Sequence, residues 1–354
     1  MADDRTRVTE LGTALGTLGY PDPATALARR PTELRVDGGT WDHLTALHTS
    51  GSLAVEFATA FANGRALLDA PDGLRGRRPM LVEWTGGRRP PGDEVAPIDL
   101  RIDHVYLVSC KYESDILANT SPGRLFEGLL ATTGTWHRGD WYGEVAPAEL
   151  AELYSRCLTA TGLDDLPATP AACTRPQRDR LRRALAGRTF PDDATRSAYA
   201  GLCRTVSEVS ADRWNRELQV RGTDPEVMLW RLLRIGSAPY FVLGIDRRSG
   251  EPVRYRIASP WDWRDEFELL DFEVTPGVAG QPRVDWRCAY RSRRGGAGGT
   301  RRLAGHVEIR WSHGRFAGPP EAKVYLDTPM EELPGYHPLT GPGGPQLSLW
   351  PPGG

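Results

Sequence analysis

Long apolar runs are missing from this chain of 354 residues: none approaches the length that would cross a bilayer. The opening Met-Ala-Asp-Asp-Arg is too polar for a secretory leader. Both absences set the expectation of a soluble, cytoplasmic protein with no membrane partner. Cysteine is scarce, and Cys110, Cys157, Cys173, Cys203 and Cys288 form no CxxC pair, which argues against a zinc ribbon or a disulfide frame and for reduced thiols within apolar patterns. An excess of charge of one sign is also missing. With 44 Lys plus Arg against 46 Asp plus Glu the net charge is -2, so any contact with nucleic acid must be local. No repeat period, Walker loop, GxSxG elbow, HExxH helix or dinucleotide fingerprint occurs, which leaves nucleotide hydrolysis, serine-esterase chemistry, zinc proteolysis and NAD binding without support. The scarcest residue is lysine. Lys111 and Lys323 are the only two, and every other basic residue is arginine. Where arginine is so strongly preferred, a retained lysine points to a need for a compact ammonium in place of a planar, always-charged guanidinium.

What is present is apolar content for a real core, in one large domain or two ordinary ones, punctuated by 29 prolines and 39 glycines. Residues 1–50 read as short helices with no chemistry. A helical stripe follows from Ser52 to Leu68, with Glu56 at its border, then a strand at Met80–Trp84 carrying Glu83, a Gly/Pro loop at Gly86–Gly92, and two strands over Pro97–Tyr112. Ser121 before Pro122 is placed to cap a helix running on through Leu125, Phe126, Leu129 and Leu130. This stretch, 51–145, is read as an α/β core. Residues 146–236 read as helical. From 237 to 340 the period changes to two, with strands expected at Tyr240–Ile245, Val253–Ile257, Leu269–Val274, Arg283–Tyr290, His306–Trp311 and Ala322–Leu326, and a Gly/Arg loop at Arg291–Arg302. Residues 341–354 form a Pro/Gly tail. The strand Tyr240–Ile245 is also a candidate to return to the first core, which would make the helices an insertion.

The chain's organising stretch is Pro97-Ile98-Asp99-Leu100-Arg101-Ile102-Asp103-His104-Val105-Tyr106-Leu107-Val108-Ser109-Cys110-Lys111-Tyr112. Read as a hairpin turning near Asp103 and His104, it brings Asp99 and Lys111 onto neighbouring strands. Val105 to Val108 make the second strand too apolar for a solvated edge, and a lysine closing such a strand needs a partner. A carboxylate beside an ammonium meets the minimum for phosphodiester hydrolysis: an oxygen ligand for a hard divalent cation, and a charge to orient water or stabilise a developing anion. The plainer alternative is a cross-strand ion pair.

The series Pro97-Ile98-Asp99 and then Ser109-Cys110-Lys111 resembles the PD-(D/E)XK nuclease superfamily, and the helix, three strands and helix from Ser52 to about Ala131 resemble its αβββα, restriction-endonuclease-like core. The resemblance covers about a quarter of the chain. It implies a DNA-cleaving enzyme of defence or repair type using Mg²⁺ or Mn²⁺, with Asp99 as the metal-binding acid, Lys111 as the catalytic lysine and Glu83 or Glu56 as an accessory acid. Ser109 stands where the second carboxylate of the motif sits. The backbone carbonyl of Cys110, Glu83, Glu56 or Asp103 are the candidates to compensate. The alternative is an inactive scaffold of the same fold that binds DNA or a protein partner.

The second lysine offers a rival in Glu321-Ala322-Lys323, with Glu308 on the preceding strand, although this E-x-K opens its strand and no helix follows. The tip between them, Arg310, Trp311, His313, Gly314 and Arg315, reads as a basic and aromatic hairpin for a phosphate backbone, with Lys323 beside it, or equally as a plain loop with exposed charge. Trp136, Trp141, Trp261 and Trp263 are candidates to stack on bases, against the commoner use of tryptophan as a core anchor.

Overall fold

The computed structural model describes residues 4–86, 96–112, 116–187, 189–247, 249–277, 280–293 and 299–340. The Gly/Pro loop from residue 87, the middle of the Gly/Arg loop at 294–298 and the tail from 341 lie outside them. The helices, in chain order, are α1 (Asp4–Thr17), α2 (Pro23–Arg29), α3 (Gly38–Ser50), α4 (Ala54–Asp69), α5 (Pro122–Phe126), α6 (Trp141–Val145), α7 (Pro147–Thr161), α8 (Arg175–Ala184), α9 (Asp193–Val220), α10 (Pro225–Leu232) and α11 (Pro260–Glu266). The strands are β1 (Leu34–Arg35), β2 (Val82–Trp84), β3 (Leu100–Ile102), β4 (Tyr106–Tyr112), β5 (Ile116–Thr120), β6 (Tyr240–Ile245), β7 (Pro252–Ile257), β8 (Phe267–Pro276), β9 (Arg283–Ser292), β10 (Arg301–Arg310), β11 (Glu321–Leu326) and β12 (Tyr336–Pro338). The protein is mixed α/β. Among the described residues no helix is long and apolar enough to cross a membrane.

The chain forms two compact units. The first comprises Met1–Asp115, Arg234–Asp265 and Met330–Gly354; the second comprises Ile116–Leu233 and Glu266–Pro329. The first unit therefore leaves its own sheet after β4 and resumes it at β6, so the helical stretch is interposed between two adjacent strands. Its sheet runs β1-β2-β3-β4-β6-β7-β12. The β2, β3 and β4 strands form an antiparallel meander, while β6 lies parallel to β4 with Lys111 opposite Gly244. Leucine, isoleucine, valine and phenylalanine at alternate strand positions (Val82, Leu100, Ile102, Val108, Phe241, Leu243) meet α1 and α4 in one core. The two helices approach closely at Gly64, where a Cβ would lie 2.0 Å from the Thr13 carbonyl. The expected turn forms at Asp103 and His104, which adopt φ of 49° and 60°, the left-handed pair that suits the twist of a hairpin. The Asp103 carboxylate ties the turn to the start of β2 by accepting the N–H groups of Met80 and Leu81.

The second unit carries an antiparallel sheet in the order β5-β11-β10-β9-β8. Its odd-numbered β10 residues Leu303, Val307 and Ile309 and the β9 residues Val284, Trp286, Cys288 and Tyr290 are buried. Against that unit's core, Trp141 donates to Ser210 Oγ and Tyr142 donates to the Ile309 carbonyl. Three expectations are corrected. The helix capped by Ser121 ends at Phe126, because Leu129 and Leu130 take positive φ. The Gly/Arg loop is shorter than read, since Arg291 belongs to β9 and Arg301 to β10. Trp141 and Trp263 are buried anchors and so cannot stack on bases, while Trp261 is 82% exposed.

Candidate functional site

Antiparallel pairing places the beginning of β3 beside the end of β4, which brings Asp99 to the residues just before Lys111. The Asp99 carboxylate accepts the Cys110 N–H at 2.6 Å. A residue in an extended strand directs its N–H and C=O toward the same neighbour, so the Cys110 carbonyl faces the Asp99 side as well. Lys111 follows at the carboxyl end of β4, with Gly244 of β6 opposite it. That glycine is required by close approach: a Cβ there would lie 1.6 Å from the Lys111 carbonyl oxygen.

The thiol of Cys110 registers the local field. Burial, then the negative charges of Asp99 and Glu10, push it well above the ordinary thiol range, with only Thr13 and Lys111 opposing. Asp99 and Glu10 are the two acids whose charge acts on this thiol. Glu10 belongs to α1, is buried, and accepts the indole N–H of Trp84 from β2. Sequence reasoning missed it. The signal was present, since Glu10 is the one acid in the buried stripe that runs through Val8, Leu11, Ala14 and Leu15.

Beside this lies a polar network in the same core. Tyr112 OH is 2.8 Å from Thr13 Oγ1 and takes a hydrogen bond from Asn63 Nδ2 at 3.2 Å. Asn63 Nδ2 also donates to the Gly244 carbonyl, and its Oδ1 accepts Arg254 Nε at 2.8 Å. The burial of Arg254 lowers its guanidinium pKa from the usual value. Asn63 therefore links helix α4 to β4, β6 and β7 through one side chain.

The other candidates of the first unit fall elsewhere. Glu83 lies opposite Arg101, with its Oε2 3.3 Å from His104 Nδ1, at the turn end of the hairpin rather than the open end that holds Asp99 and Lys111. Glu56, in the first turn of α4, pairs with Arg5 at 3.3 Å. Asp103 is occupied by the turn it closes. Ser109 is wholly buried and its hydroxyl makes no hydrogen bond, so it cannot touch a substrate. A carboxylate at this buried position would be stripped of water. Among the described residues no three His, Cys, Asp or Glu side chains gather as ligands for one ion.

The hairpin of the second unit is not the open basic tip expected. Arg310 pairs with Glu308 at 3.1 Å, and His313 lies 3.8 Å from Glu321. Lys323 stands opposite Glu308 and 3.6 Å from Glu321. Arg315 turns inward, donating to the carbonyls of Leu185 and Gly187 with its guanidinium 3.9 Å over the Phe190 ring. Of these four residues, His313 alone is largely exposed.

Comparison with protein-family models, with curated proteins and with solved structures finds no match for this chain.

Proposed function

We propose that this chain is a metal-dependent phosphodiester hydrolase acting on nucleic acid, DNA foremost, on a restriction-endonuclease-like core. The observation that carries the reading is the Asp99 carboxylate seated on the N–H of Cys110, one residue before Lys111, at the carboxyl end of the parallel pair β4 and β6. The order α4, β2, β3, β4 supports it, as does the return of β6 beside β4; the helix expected to close the core, α5, follows β5 and belongs to the second unit. The carboxyl end of parallel strands, beside the point where the strand order is interrupted, is where open α/β sheets commonly bind ligands.

The donor set fits a hard cation. Asp99 and the Cys110 carbonyl offer oxygens on one side of β4, and Mg²⁺ keeps several waters and accepts one or two protein carboxylates. Such an ion, when bound, supplies neutralisation of the phosphate charge. Lys111 orients the attacking water or stabilises the charge that develops on the phosphate oxygens. Glu10 takes the accessory role expected of Glu83 or Glu56, as the second acid whose charge acts on Cys110. Foreign-DNA defence or repair is the setting that the family resemblance suggests.

The test is incubation of the purified chain with plasmid, linear and single-stranded DNA plus Mg²⁺ or Mn²⁺. Cutting is expected, and Asp99→Asn, Lys111→Ala and Glu10→Gln each reduce it, the first two by about a hundredfold or more. Cutting that survives both Asp99→Asn and Lys111→Ala overturns the assignment. One observation favours a second reading, a non-catalytic scaffold of the same fold: position 109 is sealed from solvent, so the motif's second acid has no place there. That reading expects DNA or protein binding with no cutting in any metal.

A further inference from the structure

The second unit contains a cleft of about 610 Å³ between one face of α9, the residues Pro276, Gly277, Gly280 and Gln281 near the ends of β8 and β9, and Arg315 after β10. We propose that it binds a small planar anion, an aromatic or heteroaromatic ring bearing a carboxylate or phosphate. The proposal is independent of Asp99 and Lys111.

Size and lining come first. The volume is that of a small-molecule pocket, and the apolar wall is aromatic. Phe190 and Tyr199 pack with ring centroids 4.8 Å apart, and the Arg315 guanidinium lies 3.9 Å over the Phe190 ring; Phe190 is buried by these contacts, and Tyr199 is the ring left partly open to the cleft. The floor is a stripe of α9 at helical spacing, Tyr199, Cys203 and Ser207, whose polar atoms are already engaged locally: Ser207 Oγ donates to the Cys203 carbonyl and accepts the Arg283 N–H. A flat ring laid on this wall buries apolar area without stranding a donor or acceptor.

Charge selects the sign of the ligand. Arg204 and Glu208 line the cleft one helical turn apart, yet no hydrogen bond or ion pair joins them to each other or to any other described residue. Elsewhere in the helices, Arg65, Arg156, Arg182, Arg196 and Arg221 each pair with an acid three or four positions away. Arg196, the third cation of the lining, is neutralised by Asp193. Arg204, exposed on α9 where it lines the cleft, is placed to meet an anionic group from outside, with Glu208 beside it to accept a ring N–H or a hydroxyl.

The test is calorimetric titration of the full chain with two probes that share this chemistry but differ in source, adenosine monophosphate and indole-3-acetate. Adenosine and inorganic phosphate serve as the half-ligands. At least one of the two anions is expected to bind, with each half-ligand at least about tenfold weaker and Arg204→Ala costing about tenfold or more. Ala200→Trp, which fills the cleft from an exposed position of α9, is expected to abolish binding while the circular dichroism spectrum stays unchanged. The proposal is overturned if neither anion binds at millimolar concentration, if phosphate alone binds as tightly as the whole probe, or if Arg204→Ala leaves the affinity unchanged.

Discussion

The two lysines sit in two sheets, and the sheets treat them differently. In the second unit Lys323 lies in an antiparallel ladder where acids alternate with bases, Glu308 across from it and Glu321 two residues away at 3.6 Å. The same face continues with Arg287 on Glu273 and Arg283 on Asp285, so charge is cancelled strand by strand. In the first unit Lys111 closes an interior strand, with Asp99 held on the backbone just before it and a glycine opposite. Rarity of lysine alone does not mark a site. The neighbouring strands do, by either supplying a row of counter-charges or concentrating polar groups at one strand end.

This contrast can be broken in several places. The largest effect is expected from Gly244→Val, whose branched side chain would enter the Lys111 backbone; roughly 3 kcal/mol or more of stability is lost, read as a drop in the urea midpoint. Next comes Ser109→Glu, which buries a charge and costs on the order of 3 kcal/mol, whereas Ser109→Ala removes an unbonded hydroxyl and is close to neutral in the same assay. Asn63→Leu leaves Arg254 Nε and the Gly244 carbonyl without their partner and costs about 2 kcal/mol by thermal melting. Raising the pH probes both units. Burial lifts the Cys110 thiol in the first, and in the second burial pushes Cys157, Cys203 and Cys288 up to about 12. Unfolded thiols ionise near ~8.5, so the unfolded chain sheds protons first: stability is full below that pH and falls as pH rises toward 12. A flat stability curve across that range would contradict the burial of these thiols. The smallest effect is assigned to Lys323→Met, at most about 1 kcal/mol, because Glu308 retains Arg310 and Glu321 retains the hydrogen bonds from Asn119 and Ser312.

Much of this was legible from residue order. The β6 strand matches its apolar run residue for residue, since Tyr-Phe-Val-Leu-Gly-Ile is buried along nearly its whole length and nothing competes with a strand there. The hairpin turn was legible because Asp and His accept left-handed conformations more readily than most residues. The two-residue β1 and the short β12 were not, being too brief to carry a period. That Asp99 would meet the strand end before Lys111 was legible from local strand order alone. Glu10 was not, because its burial against Trp84 depends on how α1 lies across the sheet, a contact between residues far apart in the chain. Arg315 misled for the complementary reason: a basic residue near a loop reads as exposed, whereas the carbonyls of Leu185 and Gly187 and the Phe190 ring draw it inward.

The glycine across from Lys111 also has a temporal meaning. During synthesis β4 emerges long before β6, so its outer edge stays unzipped while the whole interposed helical stretch is being made. A nascent chain stopped ahead of Tyr240 would display an adhesive strand bordered by no neighbour, the kind of edge that recruits foreign strands. Lys111 meets the backbone of Gly244 only when the ribosome has delivered the far half of the fold.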